Sequence, residues 1–202
     1  MNADRRTQAE RSAATRQALI TAGRRLFGEL GYAEVSTVAI THAAGVSRGA
    51  MYHQFTDKRD LFEAVVEDVE HDLVGRISSA VSKSGFTDPI DNLVVGCLAW
   101  LDASTEPEVQ RIALLDAPAV LGWDRWREIE LRHTIGRLEA SLSAAAKAGR
   151  IRTQPIRPLA LVIVGALDEA ALYIARFGRT PEEERNVRSV IEQLISGLAT
   201  EA

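Results

Sequence analysis

The chain has 202 residues, 46% of them hydrophobic, enough for one generous domain or two small ones with a true core. A single cysteine, Cys97, excludes an internal disulfide framework and fits a reducing cytoplasm; in the apolar segment LVVGCLAWL it reads as a small buried hydrophobe. Net charge is −4, but residues 1–60 carry nine Lys or Arg against six Asp or Glu (+3), and residues 61–202 carry fifteen against twenty-two (−7), so an anionic partner is expected for the first part only.

The opening MNADRRTQAERSAATRQ is basic but lacks an apolar stretch, so no secretory signal is expected, and about the first fifteen residues read as a flexible arm, with a boundary near residue 12. From Ala13, the residues Leu19, Ala22, Gly23, Leu26, Phe27 and Leu30 recur at helical spacing, and Gly31 stops that helix. Ser36 or Thr37 caps a short helix holding Val38, Ile40, Ala43 and Ala44. Gly45 ends it, Ser47 caps a second short helix running to Phe55, and Thr56 or Asp57 opens a long one through Leu61, Val65, Val69 and Leu73. Further helices are expected near 89–104, 107–115, 123–148, 158–177 and 181–199, separated by Pro and Gly breaks. The fold class is all-α, about nine helices in all. The longest apolar run, Leu159 to Leu167, is well short of the roughly 18 residues of a membrane span, so no membrane is expected as a partner.

Two short helices joined by a glycine-containing turn form a helix-turn-helix pattern, with 13–57 as its domain and 58–202 as a second. An isolated helix below about 12–15 residues is marginal in water, so helix 13–30 has to supply the missing core. On the second short helix Met51 and Phe55 face inward, whereas Arg48, Gly49, Tyr52 and His53 face outward. A guanidinium, a phenol and an imidazole on one face suit phosphate oxygens and base edges.

The pieces AGRRLFGELGY, STVAITHAAGVS and GAMYHQFTDKRDLF, in this order and spacing, resemble the DNA-binding domain of the tetracycline-repressor (TetR) family from Arg16 to Leu61. Thr41 and Gln54 depart from the residues usual at their positions. The resemblance implies that helix 48–55 enters the major groove of a double-stranded operator. Tyr52 and Lys58 would then bind phosphate, and Thr37 and Ser47 would contact the backbone while capping their helices. Arg48 would read a base, because Arg pairs in bidentate fashion with guanine. Gly49 and Ala50 would allow close approach, and His53 would touch base or phosphate. The arm residues Arg5, Arg6, Arg11 and Arg16 are candidates for further DNA contacts.

The resemblance also implies a homodimer whose last two helices form a four-helix bundle, through Leu159, Val162, Ala166, Ala170, Val187, Ile191, Leu194, Ile195 and Leu198; an intramolecular core is the alternative for the same residues. The middle helices are expected to hold a small, largely apolar effector. Candidate lining residues are Phe86, Trp100, Leu101, Leu115, Trp123, Trp126, Leu138 and Tyr173, with Asp116, His133 and Asp168 as polar anchors. For Trp123 and Trp126 plain packing is the alternative. The tract LLDAPAVLGWDRWREIE resembles a segment common in one group of these regulators. No nucleophile elbow, phosphate loop or metal-binding His pair occurs, and no cofactor is expected. His71 among Glu67, Asp68, Glu70 and Asp72 reads as a solvated acidic face rather than a metal site. A ligand-responsive repressor is therefore the expected function, with a regulator sensing a partner protein or nothing, or a small all-α enzyme, as alternatives.

Overall fold

The structure is a computed structural model describing residues 7–177 and 180–200. Among the described residues every element is helical: α1 Gln8–Leu30, α2 Thr37–Ala43, α3 Arg48–Gln54, α4 Lys58–Ser84, α5 Pro89–Ser104, α6 Pro107–Val109, a π-helical segment Gln110–Asp116, α7 Ala117–Leu121, α8 Trp123–Arg132, α9 Thr134–Lys147, α10 Ile156–Phe177 and α11 Pro181–Ser196.

Helix α1 starts earlier than its apolar stripe suggests. Thr7 caps it and Glu10 reaches back to the Thr7 backbone N–H, a reciprocal capping box, so residues 8–12 are helical rather than part of a loose arm. Arg5 and Arg6 lie outside the described residues.

The expected helix 107–115 becomes a three-residue turn followed by the π segment. Pro118 has no N–H for the Leu114 carbonyl and its ring crowds that group, so the backbone upstream widens; the Ala117 N–H donates to Ile112. The expected helix 123–148 is two helices that meet at His133 (φ −114°, ψ −94°). Gly136 makes this corner possible, because a Cβ there would stand 2.7 Å from the Leu131 carbonyl oxygen.

Two hydrophobic clusters result. The first contains Leu19, Phe27, Ile40, Met51 and Phe55 of the short-helix region, and continues through Phe62, Val66 and Leu73 of α4 to Ile112, Leu121 and Ile129. The boundary at residue 57 thus separates helices but not their core. The second joins the distal end of α4 to α5, α9, α10 and α11 through Ile77, Leu93, Trp100, Ile135, Leu167 and Ile195. Helix α10 is long and apolar enough to cross a bilayer by length and composition, yet Asp168 and Glu169 interrupt it and it packs on α5, α9 and α11.

Candidate nucleic-acid interface and effector cavity

Helices α2 and α3 are held at their entries by serine caps. Ser36 Oγ accepts from Ala39 N at 3.1 Å and Ser47 Oγ accepts from Ala50 N at 3.1 Å. The cap of α2 is therefore Ser36, and Thr37 is its first helical residue. Gly45, at φ +65°, makes the left-handed corner between them, and Val46 N donates to the Thr41 carbonyl at 3.0 Å. The unusual Thr41 is buried with its hydroxyl donating to the Val38 carbonyl at 3.0 Å, so it fits the pattern without an unpaired group.

Helix α1 supplies the stability that α3 lacks. Met51 and Phe55 are fully buried, the Arg16 guanidinium lies 4.3 Å over the Phe55 ring, and Gln54 Nε2 donates to Ser12 Oγ at 2.8 Å. Arg16 thus braces α3 from behind. Arg11 sits on the exposed surface of α1.

The outward face of α3 presents Arg48, Gly49, Tyr52 and His53 to solvent, with Ala50 half-buried beside them. The Arg48 guanidinium lies 6.0 Å from the Tyr52 ring centre. Arg48 and then Thr37 favour the phenolate, holding the Tyr52 hydroxyl below its ordinary range. Thr37 of α2 and Arg48 and Tyr52 of α3 therefore form one polar group across the turn. Gly49 leaves the surface beside them open, since a Cβ there would meet only Ser47 Oγ at 3.9 Å. Val38, exposed next to Thr37, extends the same end of the molecule and was missed by reading only its helical spacing.

Lys58 has a different placement from the one the resemblance implies. Its ammonium donates to the carbonyls of Tyr32 and Val35 at 2.9 and 3.0 Å and lies 4.1 Å over the Tyr32 ring. Two of its three donors hold the α1–α2 loop, so its first role is to close that loop.

Asp116 is not in a cavity. Its carboxylate accepts from Tyr32 N at 2.7 Å and so ties the π segment to the end of α1. Arg59 donates to the carbonyls of Val120 and Leu121, and Arg24 of α1 pairs with Asp68, Asp72 and Glu108. The short-helix region is thereby fastened to α4, α6 and the π segment, and α4 in turn to α7.

A cavity of about 70 Å³ lies among α4, α5, α9 and α10. Trp100 and Leu138 line it, together with Ile77, Val81, Cys97 and Leu167. Burial pushes the Cys97 thiol up to about 12, which keeps it protonated and unreactive. The other expected lining residues lie elsewhere. Leu101 is buried in the adjoining core; Phe86 and Trp123 are exposed. Leu115 and Tyr173 border a shallower groove of about 400 Å³ between the π segment and α10. Trp126 is buried with its ring edge-on to Trp123, 4.9 Å between centres, so packing explains that pair. His133 forms the α8–α9 corner, where burial lowers its pKa. Asp168 is half-buried, one residue beyond the cavity wall at Leu167. Sequence reading also placed Glu70 on a solvated face, but it is buried and accepts from the Thr134 hydroxyl. Its position four residues after Val66 and three before Leu73 is the signal for that burial.

On α10 and α11, Ile191 and Ile195 are buried in the chain's own core, and Leu159, Ala170, Val187 and Leu198 are half-buried against it. Val162 and Leu194 remain exposed, at 68% and 44%, beside Val190, and Ala166 borders the groove between the two helices.

Residues 19–65 match the family described as bacterial regulatory proteins, tetR family, and residues 90–198 match the tetracyclin repressor-like C-terminal domain. The chain is 31% identical over 145 residues to the HTH-type transcriptional repressor Rv1474c of Mycobacterium tuberculosis, covering 70% of this chain and 67% of that one. It is 26% identical over 183 residues to the repressor AcnR of Corynebacterium diphtheriae, covering 89% and 90% of the two chains. A TetR-family regulator of Pectobacterium atrosepticum has the same fold, with a TM-score of 0.78, 32% identity and coverage of 97% and 99%. With the helix-turn-helix, its outward donor face and both halves of the family pattern in place, the chain belongs to the TetR family and is a DNA-binding transcriptional regulator.

Proposed function

We propose that the protein is a homodimeric repressor, working in the cytoplasm, that binds a pseudo-palindromic operator and leaves it when a small, largely apolar effector occupies the α4–α5–α9–α10 cavity. The observation that carries this reading is that one helix, α4, serves both ends. Its first turn carries Lys58, which holds the α1–α2 loop of the reader, and its distal half contributes Ile77 and Val81 to the cavity wall. Arg48 reads a base edge, Tyr52 and Thr37 bind phosphate, Ser47 contacts the backbone beside its cap, and Gly49 and Ala50 let α3 sit close to the groove. His53, exposed at the far end of α3, meets base or phosphate. Lys58 orients the reader and offers its third N–H to phosphate.

Two half-sites one helical turn apart lie about 34–36 Å from centre to centre, so two readers have to be held at a fixed separation. The exposed apolar residues Val162, Val190 and Leu194 on α10 and α11 supply the pairing surface, with Ala166 allowing close approach. A ligand that favours a tilted α4 changes that separation, and operator and effector then oppose each other by one coupling free energy.

Fluorescence anisotropy with DNA from upstream of the protein's own gene tests this, alongside light scattering of Leu194→Glu. We expect salt-sensitive, saturable binding by a dimer, and a monomer with weakened operator affinity for the variant. A monomeric wild-type chain without duplex affinity at low salt would sink the reading. The small cavity volume favours a second reading, a regulator that takes no effector; a metabolite screen in which nothing raises the melting temperature or releases DNA would select it.

A further inference from the structure

Besides the Cys97 thiol, four polar side chains line the cavity among α4, α5, α9 and α10: Asn92, Thr134, Arg137 and Ser141. Two of them are committed within the chain. The Thr134 hydroxyl donates to Glu70, and the Ser141 hydroxyl donates to the Arg137 carbonyl at 3.2 Å. The other two are open. Asn92 Nδ2 donates to the Phe86 carbonyl at 3.2 Å, which fixes the amide and leaves Oδ1 as a buried acceptor without a donor. A buried acceptor of this kind calls for a partner.

Arg137, exposed at the cavity edge, is the one charged side chain lining it. Its neighbours are all paired. On α8, Arg125 holds Glu63 and Glu128, Arg127 holds Glu130 and Arg132 holds Glu67; Arg157 of α10 takes Glu139, the one acid of α9. Among the described residues the Arg137 guanidinium has no carboxylate partner and donates no hydrogen bond. The cavity lining thus carries +1, although residues 61–202 together carry −7. The two open groups lie toward one end. Arg150, just beyond α9, pairs with Asp88 at the start of α5, so these helices run antiparallel. Asn92, one turn after Asp88, therefore stands beside the second half of α9, where Ser141 is. Arg137 is one turn before Ser141 on the same face.

We propose that the effector is an organic monoanion whose apolar body occupies the cavity, whose carboxylate pairs with Arg137, and whose hydroxyl beside that carboxylate donates to Asn92 Oδ1. This deepens the ligand-responsive reading and rests on it. Trp100, Leu138, Val164 and Leu167 supply the apolar contacts. A guanidinium offers a carboxylate two parallel donors, and at the rim it does so without burying a full charge. The cavity holds about two water volumes, so a ring-sized body enters only by parting α5 and α9 from α4. That movement acts on the helix that carries the reader.

The test uses the full-length protein, titration calorimetry at pH 7 and four probes with one apolar body: 3-phenylpropanoate, 3-phenyllactate, 3-phenylpropan-1-ol and 3-phenylpropylamine. The propanoate is expected to bind about tenfold more tightly than the alcohol, and the amine most weakly. The hydroxyl of 3-phenyllactate is expected to add a further gain of about threefold or more. Arg137→Gln should bring the propanoate down to the level of the alcohol, and Arg137→Glu should turn the preference toward the amine. Asn92→Ala should remove the gain from the hydroxyl. Equal binding of acid and alcohol, preference for the amine, or no heat with millimolar acid overturns the proposal. So does an acid preference that survives Arg137→Gln, or a lactate no tighter than the propanoate. Operator release is measured separately. Release by the alcohol but not by the acids keeps the ligand-responsive reading and overturns the anion site. Acid binding that needs Arg137 but releases no operator supports the anion site and removes its effector role.

Discussion

Residues 7–57 and residues 58–200 treat buried polar groups differently. Among the described residues, every buried side-chain nitrogen or oxygen without a hydrogen-bond partner lies between Asn92 and Asp168. In the reader, by contrast, Ser36, Thr41, Ser47 and Gln54 all find partners. A surface that presents a fixed set of donors to a groove gains from a rigid support. A region that has to change shape gains from groups whose best partner is absent from one of its shapes. The ties between the two, at Lys58, Asp116 and Arg24, are charged groups on carbonyls, an amide or carboxylates, which hold direction as well as distance.

The contrast can be broken first at the shared core. Phe62 is fully buried with its ring edge-on to Phe27, 5.1 Å between centres. Phe62→Ala is expected to cost about 3–5 kcal/mol in urea unfolding and to melt reader and body together. Two separate transitions would show that the regions do not share one cooperative core.

At the rigid end, Arg48→Ala should weaken operator binding by about 1–3 kcal/mol and relax selectivity at one base pair, as read by competition with single-base operator variants. Unchanged affinity and selectivity would remove Arg48 from base reading. Asp116→Ala leaves the Tyr32 N–H without its acceptor and should destabilise the fold by about 1–3 kcal/mol in denaturant. Its operator affinity should fall with the loss of the tie, and an affinity equal to wild type would show that the π segment does not position the reader.

Lys58→Met sharpens the same point. Loss of two carbonyl contacts should cost about 1–2 kcal/mol of stability. If the third N–H also meets phosphate, the slope of log affinity against log salt falls by about one. A lowered slope without lost stability would return Lys58 to a phosphate role alone.

The pH dependence of stability probes the body. Glu70, Glu130 and Asp168 have folded values of about 7, 9 and 6, above those of exposed carboxyls, so the folded chain binds more protons than the unfolded chain between the two sets of values. Stability from these groups is therefore complete in mild acid and declines as pH rises toward 9. Glu70→Gln should flatten that decline in melting temperature between pH 5 and 9, and an equally steep decline would mean that Glu70 is ionised throughout.

The helix-turn-helix was legible because its signals are local. Ser36, Gly45 and Ser47 mark the ends of two helices within about a dozen residues, and Met51 and Phe55 recur at a spacing that needs no knowledge of partners. The break at His133 was not legible, since the residues around it still have helical spacing and the corner depends on the approach of Gly136 to Leu131. The π segment was marked only by Pro118, which announces a disturbance and not its form. For α10 and α11 the apolar stripes were plain, but a stripe does not say what covers it: Ile191 and Ile195 turned to the chain's own core and Leu194 did not.

The sequence by itself determined the all-α class, the two short helices of the reader and the outward set Arg48, Tyr52 and His53, because periodicity and caps act over a few residues. Tertiary structure alone decided that Lys58 closes a loop, that Asp116 grips α1 and that Glu70, Glu130 and Asp168 are wholly or partly buried. Each of those three acids stands four residues after a buried side chain, Val66, Trp126 or Val164, which places it on an inward stripe. Which stripes face one another depends on how α4, α8 and α10 pack, and a charge or a hydrogen bond acts on whatever lies within a few ångströms in space, however far apart in the chain.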